Sequence, residues 1–168
     1  MEKIFLNLAG EFLVAAELNR RQILCSVTYG ASKSADLFAF GEATDRLLRI
    51  EVKTTTKSKW PVGPRGMAAS SNGSGRVWVL VFLPPPLDRS ELDDGVRGQH
   101  TPRFFVLTAQ EVESLTRAGY DEYSRRYQDR HGVPYSKPGV PVITMLQVAE
   151  HESRWDKVRN AIQEWKPG

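Results

Sequence analysis

The spacing of apolar positions changes several times along the chain, and each change marks an element. Over residues 5–21 the apolar side chains Leu8, Phe12, Ala15 and Leu18 recur at helical spacing, and Arg20 and Arg21 suit a C-terminal turn. The period then shortens. Ile23–Tyr29, Asp36–Phe40 and Leu47–Lys53 read as three strands, joined by the small-residue turn 30–34 and the turn 41–45. The unbroken apolar run Arg76–Leu83 reads as a fully buried strand and Phe104–Leu107 as the last core strand. Thr108 with Glu111 three residues on predicts a capping box at a helix start. A further helix is expected over Tyr120–Arg130, a short strand over Val142–Val148 and a closing helix over Ser153–Trp165. Long loops are expected at Pro61–Gly75 and Pro84–Pro102.

This order predicts an α/β fold, with a mixed β-sheet core flanked by helices. A length of 168 residues suits one domain, with its core over 5–108 and a helical part over 109–168. Composition narrows the class. A hydrophobic share of 40% and a charged share of 26% describe a water-soluble globular chain. No apolar run is long enough for a membrane span, and the N-terminus lacks a signal-peptide core, so no membrane partner is expected. The single Cys25 excludes an internal disulfide and a Cys-rich zinc site, and fits a cytoplasmic location.

The net charge of +3 says little, but its distribution says more. Between Val52 and Leu87 stand five cations, Lys53, Lys57, Lys59, Arg65 and Arg76, and no acid. Within the third strand, alternation sends Ile50 and Val52 to one face and Arg49, Glu51 and Lys53 to the other, with Glu51 and Lys53 ~7 Å apart. Read alone, that pair is equally a half-exposed ion pair worth less than ~1 kcal/mol. Asp36 changes the balance, because an acid at the start of a short apolar strand gains nothing from β propensity; its other role is to cap the turn before it. Two carboxylates at the ends of neighbouring strands suit a hard divalent cation. On the first helix Glu11 interrupts the apolar stripe, whereas Glu17 has Arg20 and Arg21 at surface-pair spacing.

A helix Glu, a strand Asp and then, with fourteen residues between, the Glu of a Glu-x-Lys strand followed by a basic loop resembles the PD-(D/E)XK nuclease superfamily. The matching stretches are Gly10-Glu11, Ser34-Ala35-Asp36 and Ile50-Glu51-Val52-Lys53, within the first third of the chain. Ala35 stands where that family's proline would be. The resemblance implies a restriction-endonuclease-like fold and a Mg²⁺-dependent DNA endonuclease, with Mn²⁺ able to substitute. Small Holliday-junction resolvases and restriction or mobile-element nucleases are the nearest in plan. It further implies that Asp36, Glu51 and the Val52 carbonyl hold the metal. Lys53 acts on the water or the phosphate, and Glu11 binds a second metal or an outer-shell water. The alternative is a non-catalytic nucleic-acid-binding or protein-interaction module that keeps the fold.

DNA is the expected partner, with Lys57, Lys59 and Arg65 on phosphates and Trp60 stacked on a base. A Trp before Pro61 can instead pack its loop onto the sheet. His100, His131 and His151 lie at no ligand spacing and read as surface residues, and Trp155 and Trp165 as anchors of the last helix. The basic aromatic stretch Tyr123–Tyr127 is diluted by Asp121, Glu122 and Asp129 and reads as a solvated face. A share of the apolar surface could serve a homodimer.

Overall fold

A computed structural model describes residues 2–28, 35–41, 46–70, 76–86, 100–136 and 139–164. Its elements in chain order are α1 (Lys3–Arg20), β1 (Cys25–Val27), β2 (Leu37–Gly41), β3 (Arg46–Thr55), β4 (Lys59–Pro61), α2 (Gly63–Met67), β5 (Arg76–Phe82), β6 (Arg103–Thr108), α3 (Ala109–His131), β7 (Val142–Thr144), a 3₁₀ helix (Leu146–His151) and α4 (Asp156–Glu164). Five strands form a mixed sheet in the order β1-β2-β3-β5-β6, parallel at β3–β5 and antiparallel elsewhere. A parallel pair needs a long crossover. Here the crossover carries β4, which pairs with β7 as a separate two-stranded ribbon.

Both faces of the sheet are covered, as the α/β reading requires. On one face Val14 and Leu18 of α1 and Trp155, Val158 and Ile162 near the C-terminus pack on Leu37, Leu48, Ile50, Val52, Val79 and Val106. On the other, Trp60, Val62, Val112, Ile143 and Val148 pack on Trp78, Leu80, Phe105 and Leu107. Trp155 anchors the closing segment as expected, with 5% of its surface exposed. No described helix is long and apolar enough to cross a membrane.

Several sequence expectations change. The contact line of α1 runs through Gly10, Val14 and Leu18, while Phe12 is 47% exposed. Gly10 allows the helix to approach β3 so closely that a Cβ there would lie 1.8 Å from Thr54 Oγ1. The expected helix over 120–130 is the second half of α3, whose capping box at Thr108 and Glu111 forms as predicted. Packing on β6, β7 and α2 carries α3 through Gly119, and it ends at Gly132, in the left-handed region at φ 69°. The segment 142–148 holds a shorter strand and then the 3₁₀ helix. The loop expected over 61–75 contains α2. Residues 30–34, 42–45, 71–75, 87–99 and Trp165 lie outside the described residues.

Trp60 is not a base-stacking residue. It is fully buried: its indole N–H donates to the Val81 carbonyl at 2.9 Å, and its ring meets Phe105 edge-on at 5.4 Å. Pairing of Trp60 with Ile143 across the ribbon turns the side chain into the core. Trp60→Phe is expected to cost about 0.5–1.5 kcal/mol by removing the indole hydrogen bond to the Val81 carbonyl. DNA affinity, measured at a temperature where both proteins are folded, should not change.

His151 is likewise no surface residue. It is 7% exposed, with Nδ1 2.9 Å from Lys157 Nζ, and that ammonium donates to both Glu111 oxygens at 2.7 and 2.6 Å. The 3₁₀ turn packs the ring inward. His131 is exposed and His100 half-buried.

Candidate active site

The site forms where β2 stops and β3 continues. Leu37 pairs with Ile50, and beyond that register β3 runs on beside β5. Asp36 sits at the divergence. Its backbone N–H donates to the Ile50 carbonyl at 3.0 Å, and its Oδ2 accepts the Val52 N–H at 2.7 Å. The side chain therefore takes the place of the missing strand partner. On the other side, Thr28 Oγ1 donates to the Ala35 carbonyl at 2.7 Å, fixing the approach to Asp36.

Glu51 is 3% exposed, because the ribbon, α2 and α3 cover the face to which alternation sends it. A buried carboxylate needs compensation. Lys53 Nζ donates to Glu51 Oε1 at 2.7 Å, and the Arg65 guanidinium stands 3.6 Å from the same oxygen. Lys53 Nζ also lies 4.0 Å from Asp36 Oδ2, donates to the Val52 carbonyl at 3.2 Å and sits 5.6 Å from the centre of the buried Trp78 ring. Asp36, Glu51, Val52 and Lys53 are thus one cluster.

Glu11 joins electrostatically, from the flank of the α1 contact line rather than its centre. Burial first, then the Asp36 charge, raises its carboxyl to about 6, with Lys53 opposing and Glu51 adding. Burial likewise raises Asp36, against the Val52 N–H bond, with Glu51 raising it further and Lys53 and Arg65 lowering it. An excess of carboxylate in a sheltered place is an environment that a divalent cation relieves. Among the described residues, Asp36 Oδ1 and Glu51 Oε2 accept no hydrogen bond, so each acid has an oxygen to offer. Asp36, Glu51 and the Val52 carbonyl, which accepts from Lys53 Nζ at 3.2 Å, are the groups that could offer oxygens to such an ion. No group of three His, Cys, Asp or Glu among the described residues stands at metal-binding spacing, so Glu11, Asp36 and Glu51 do not form one three-carboxylate set.

The raised value of Glu11 has a testable sign. Folded Glu11 keeps its proton to higher pH than unfolded Glu11. Its stabilising contribution is therefore complete below about 4.5 and lost as pH rises through about 6. Glu11→Gln should match the parent at pH 4 and exceed it at pH 7.5 by on the order of 1 kcal/mol, after allowance for solvent screening. Denaturant melts at the two pH values measure this.

Of the expected DNA contacts, Lys57 and Lys59 are exposed. Arg65 is half-exposed and turned toward Glu51. Sequence reasoning missed this second role of Arg65, and missed Trp78 as the floor under Lys53. Arg65 lies in a segment without periodicity, and Trp78 was one apolar residue in an apolar run. Glu17 pairs with Arg20 and Arg21, as its spacing indicates.

No protein-family model matches the chain, and no curated protein matches it. Among solved structures, a bacterial homing endonuclease, I-Ssp6803I, is similar at 11% identity and a TM-score of 0.47, with 97% of this chain and 93% of that chain covered.

Proposed function

We propose that the chain is a Mg²⁺-dependent endonuclease that hydrolyses DNA phosphodiester bonds, with a PD-(D/E)XK site on a restriction-endonuclease-like fold. The observation that carries this reading is the meeting of Asp36, Glu51 and Lys53 where β2 leaves β3, with one oxygen of each acid uncommitted among the described residues. Asp36, Glu51 and the Val52 carbonyl hold the ion, for which Mn²⁺ can substitute. When bound, the ion polarises the scissile phosphate and lowers the pKa of a coordinated water. Lys53 sets a compact positive charge beside the carboxylates, able to neutralise charge growing on a nonbridging oxygen or to orient the water. Glu11, poised at about 6, is a better proton acceptor than an ordinary carboxylate and acts through an outer-shell water. Lys57, Lys59 and Arg65 bind phosphates without reading sequence.

Such a site selects substrate by DNA structure or through a partner protein, in the manner of a Holliday-junction resolvase or a restriction or mobile-element nuclease. A homodimer in the cytoplasm suits cleavage of both strands. The test is a cleavage assay over linear, nicked, flapped and four-way DNA, with Mg²⁺ and with EDTA. Metal-dependent cleavage of at least one substrate is expected, and none of any substrate overturns the enzyme reading.

One observation favours a second reading, a non-catalytic nucleic-acid-binding or protein-interaction module: Glu51 Oε1 already faces two cations, so the cluster is partly self-compensated. Calorimetry with Mg²⁺ and Mn²⁺ separates the two. Binding that disappears in Asp36→Asn supports the enzyme, and no binding supports the module.

A further inference from the structure

Beyond the acidic cluster, tyrosines gather at one place that the mechanism does not use. Tyr120 and Tyr123 of α3 face Tyr135, which follows the helix, with ring centres 6.2 and 4.9 Å away, and Tyr127 stands 5.1 Å from Tyr135. Between these rings and the Gly139–Val142 segment lies a cavity of about 380 Å³, open to solvent. Gly119 is part of its wall, and Tyr123 at its mouth is 53% exposed. Three aromatic walls, phenol hydroxyls among them and a volume in the range of small-ligand sites suit a flat heteroaromatic ring with polar edges.

Position in the fold says which ring. Pro141 and Val142, one wall of the cavity, belong to the ribbon: the Pro141 carbonyl accepts the Val62 N–H at 2.9 Å, Val142 pairs with Pro61, and Thr144 pairs with Lys59. The opposite strand of that ribbon thus carries the exposed Lys59 and leads directly into α2, whose Arg65 reaches Glu51. Helix α2 in turn sits on α3, where a Cβ at Gly66 would stand 3.2 Å from the Thr116 hydroxyl. Tyr120 and Tyr123 follow Thr116 by ~6 and ~10 Å along the helix axis. Arg65, which reaches the acidic cluster, and the exposed Lys59 thus belong to the same ribbon-and-α2 unit that forms one wall of the slot.

We propose that the cavity among Tyr120, Tyr123 and Tyr135 receives one unpaired nucleobase of the strand whose phosphate lies at the Asp36–Glu51–Lys53 cluster. This rests on the endonuclease reading for its geometry and adds a substrate class: DNA with an unpaired base near the cut, as at a flap, gap or junction. Stacking on tyrosine gives affinity without choosing a sequence.

The test is binding in EDTA, read by fluorescence anisotropy, of a labelled single-stranded oligonucleotide and of copies with one abasic residue moved along it. In the parent protein one abasic position should weaken binding by about tenfold. In Tyr123→Ala that same position should cost nothing, because the base's partner is already gone, while Tyr123→Phe should behave as the parent. Tyr123 is largely exposed, so its truncation leaves the core intact, which a thermal melt checks. An abasic penalty equal in the parent and Tyr123→Ala overturns the proposal, as does equal binding by all three proteins at every oligonucleotide. The outcome stands apart from catalysis: cleavage without tyrosine dependence sinks the slot alone, and tyrosine-dependent base binding without cleavage sinks the nuclease alone.

Discussion

Asp36→Asn is expected to lower the rate of Mg²⁺-dependent DNA cleavage by about a thousandfold, or ~4 kcal/mol of transition-state stabilisation. The substitution is nearly isosteric, and its amide oxygen can still accept the Val52 N–H that Asp36 Oδ2 accepts at 2.7 Å. The divergence of β2 from β3 should therefore survive, and only the charge is removed. Folding should not suffer. Burial raises the Asp36 carboxyl above its ordinary value, so its contribution to stability is full below the unfolded pKa and is lost as pH rises; at pH 7.5 the neutral amide should be as stable or more so. Affinity for DNA in EDTA should hold or rise, since one negative charge facing phosphate is gone. Initial cleavage rates and anisotropy on the same substrate test both halves. Cleavage within threefold of the parent would remove Asp36 from the catalytic assignment.

Why the cluster could be read from sequence, while its surroundings could not, follows from the residues themselves. Strand alternation is a strict period of two, so Glu51 and Lys53 had to share a face opposite Ile50 and Val52. An acid opening an apolar strand is conspicuous, and Asp36 does lie beside Glu51. What alternation cannot reveal is what covers that face. The ribbon, α2 and α3 bury Glu51 and turn a half-exposed sheet into a sheltered pocket, and they are built from residues 59–67, 109–131 and 142–144, whose pattern reads as loop, solvated helix and a short strand with no visible partner. The short strand β4 offers no alternation to detect, so sequence leaves Trp60 between a DNA base and the sheet; its distant partner Ile143 decides for the sheet. The tyrosines of α3 stand among charges on a helical wheel; Tyr123 and Tyr127 meet along the helix at 6.4 Å, and Tyr120 joins them through Tyr135, which folds back on all three. The stripe on α1 was misplaced for a different reason. A hydrophobic pattern gives no weight to glycine, yet Gly10 sets where that helix touches the sheet.

That contact makes Gly10→Ala the other large effect. In an exposed helix the change would stabilise by about 1 kcal/mol through propensity. Here the new Cβ would stand 1.8 Å from Thr54 Oγ1, 2.9 Å from its Cβ and 3.0 Å from its Cγ2. Rotating Thr54 relieves the first contact and leaves the second, because its Cβ is fixed by the backbone of β3, which is paired there with Val81 of β5. Thr54 Oγ1 is already buried without a hydrogen-bond partner among the described residues, a sign that the interface has no slack for water. Overpacking of this kind costs about 3 kcal/mol, so sterics outweigh propensity and the net loss should be about 2 kcal/mol. For a chain of this length that is a fall in Tm of about 4–8 °C. Glu11, the next residue, moves with the helix, so its carboxyl should drop from about 6 toward an ordinary value as it loses burial and draws away from Asp36. Thr54→Ala in the same chain removes two of the three close contacts and should restore most of the lost stability and part of the Glu11 shift. Thermal melts with carboxyl titration by NMR on the single and double variants decide the matter: a Gly10→Ala protein as stable as the parent, with Glu11 still titrating near 6, would mean that α1 is not seated on β3 through Gly10.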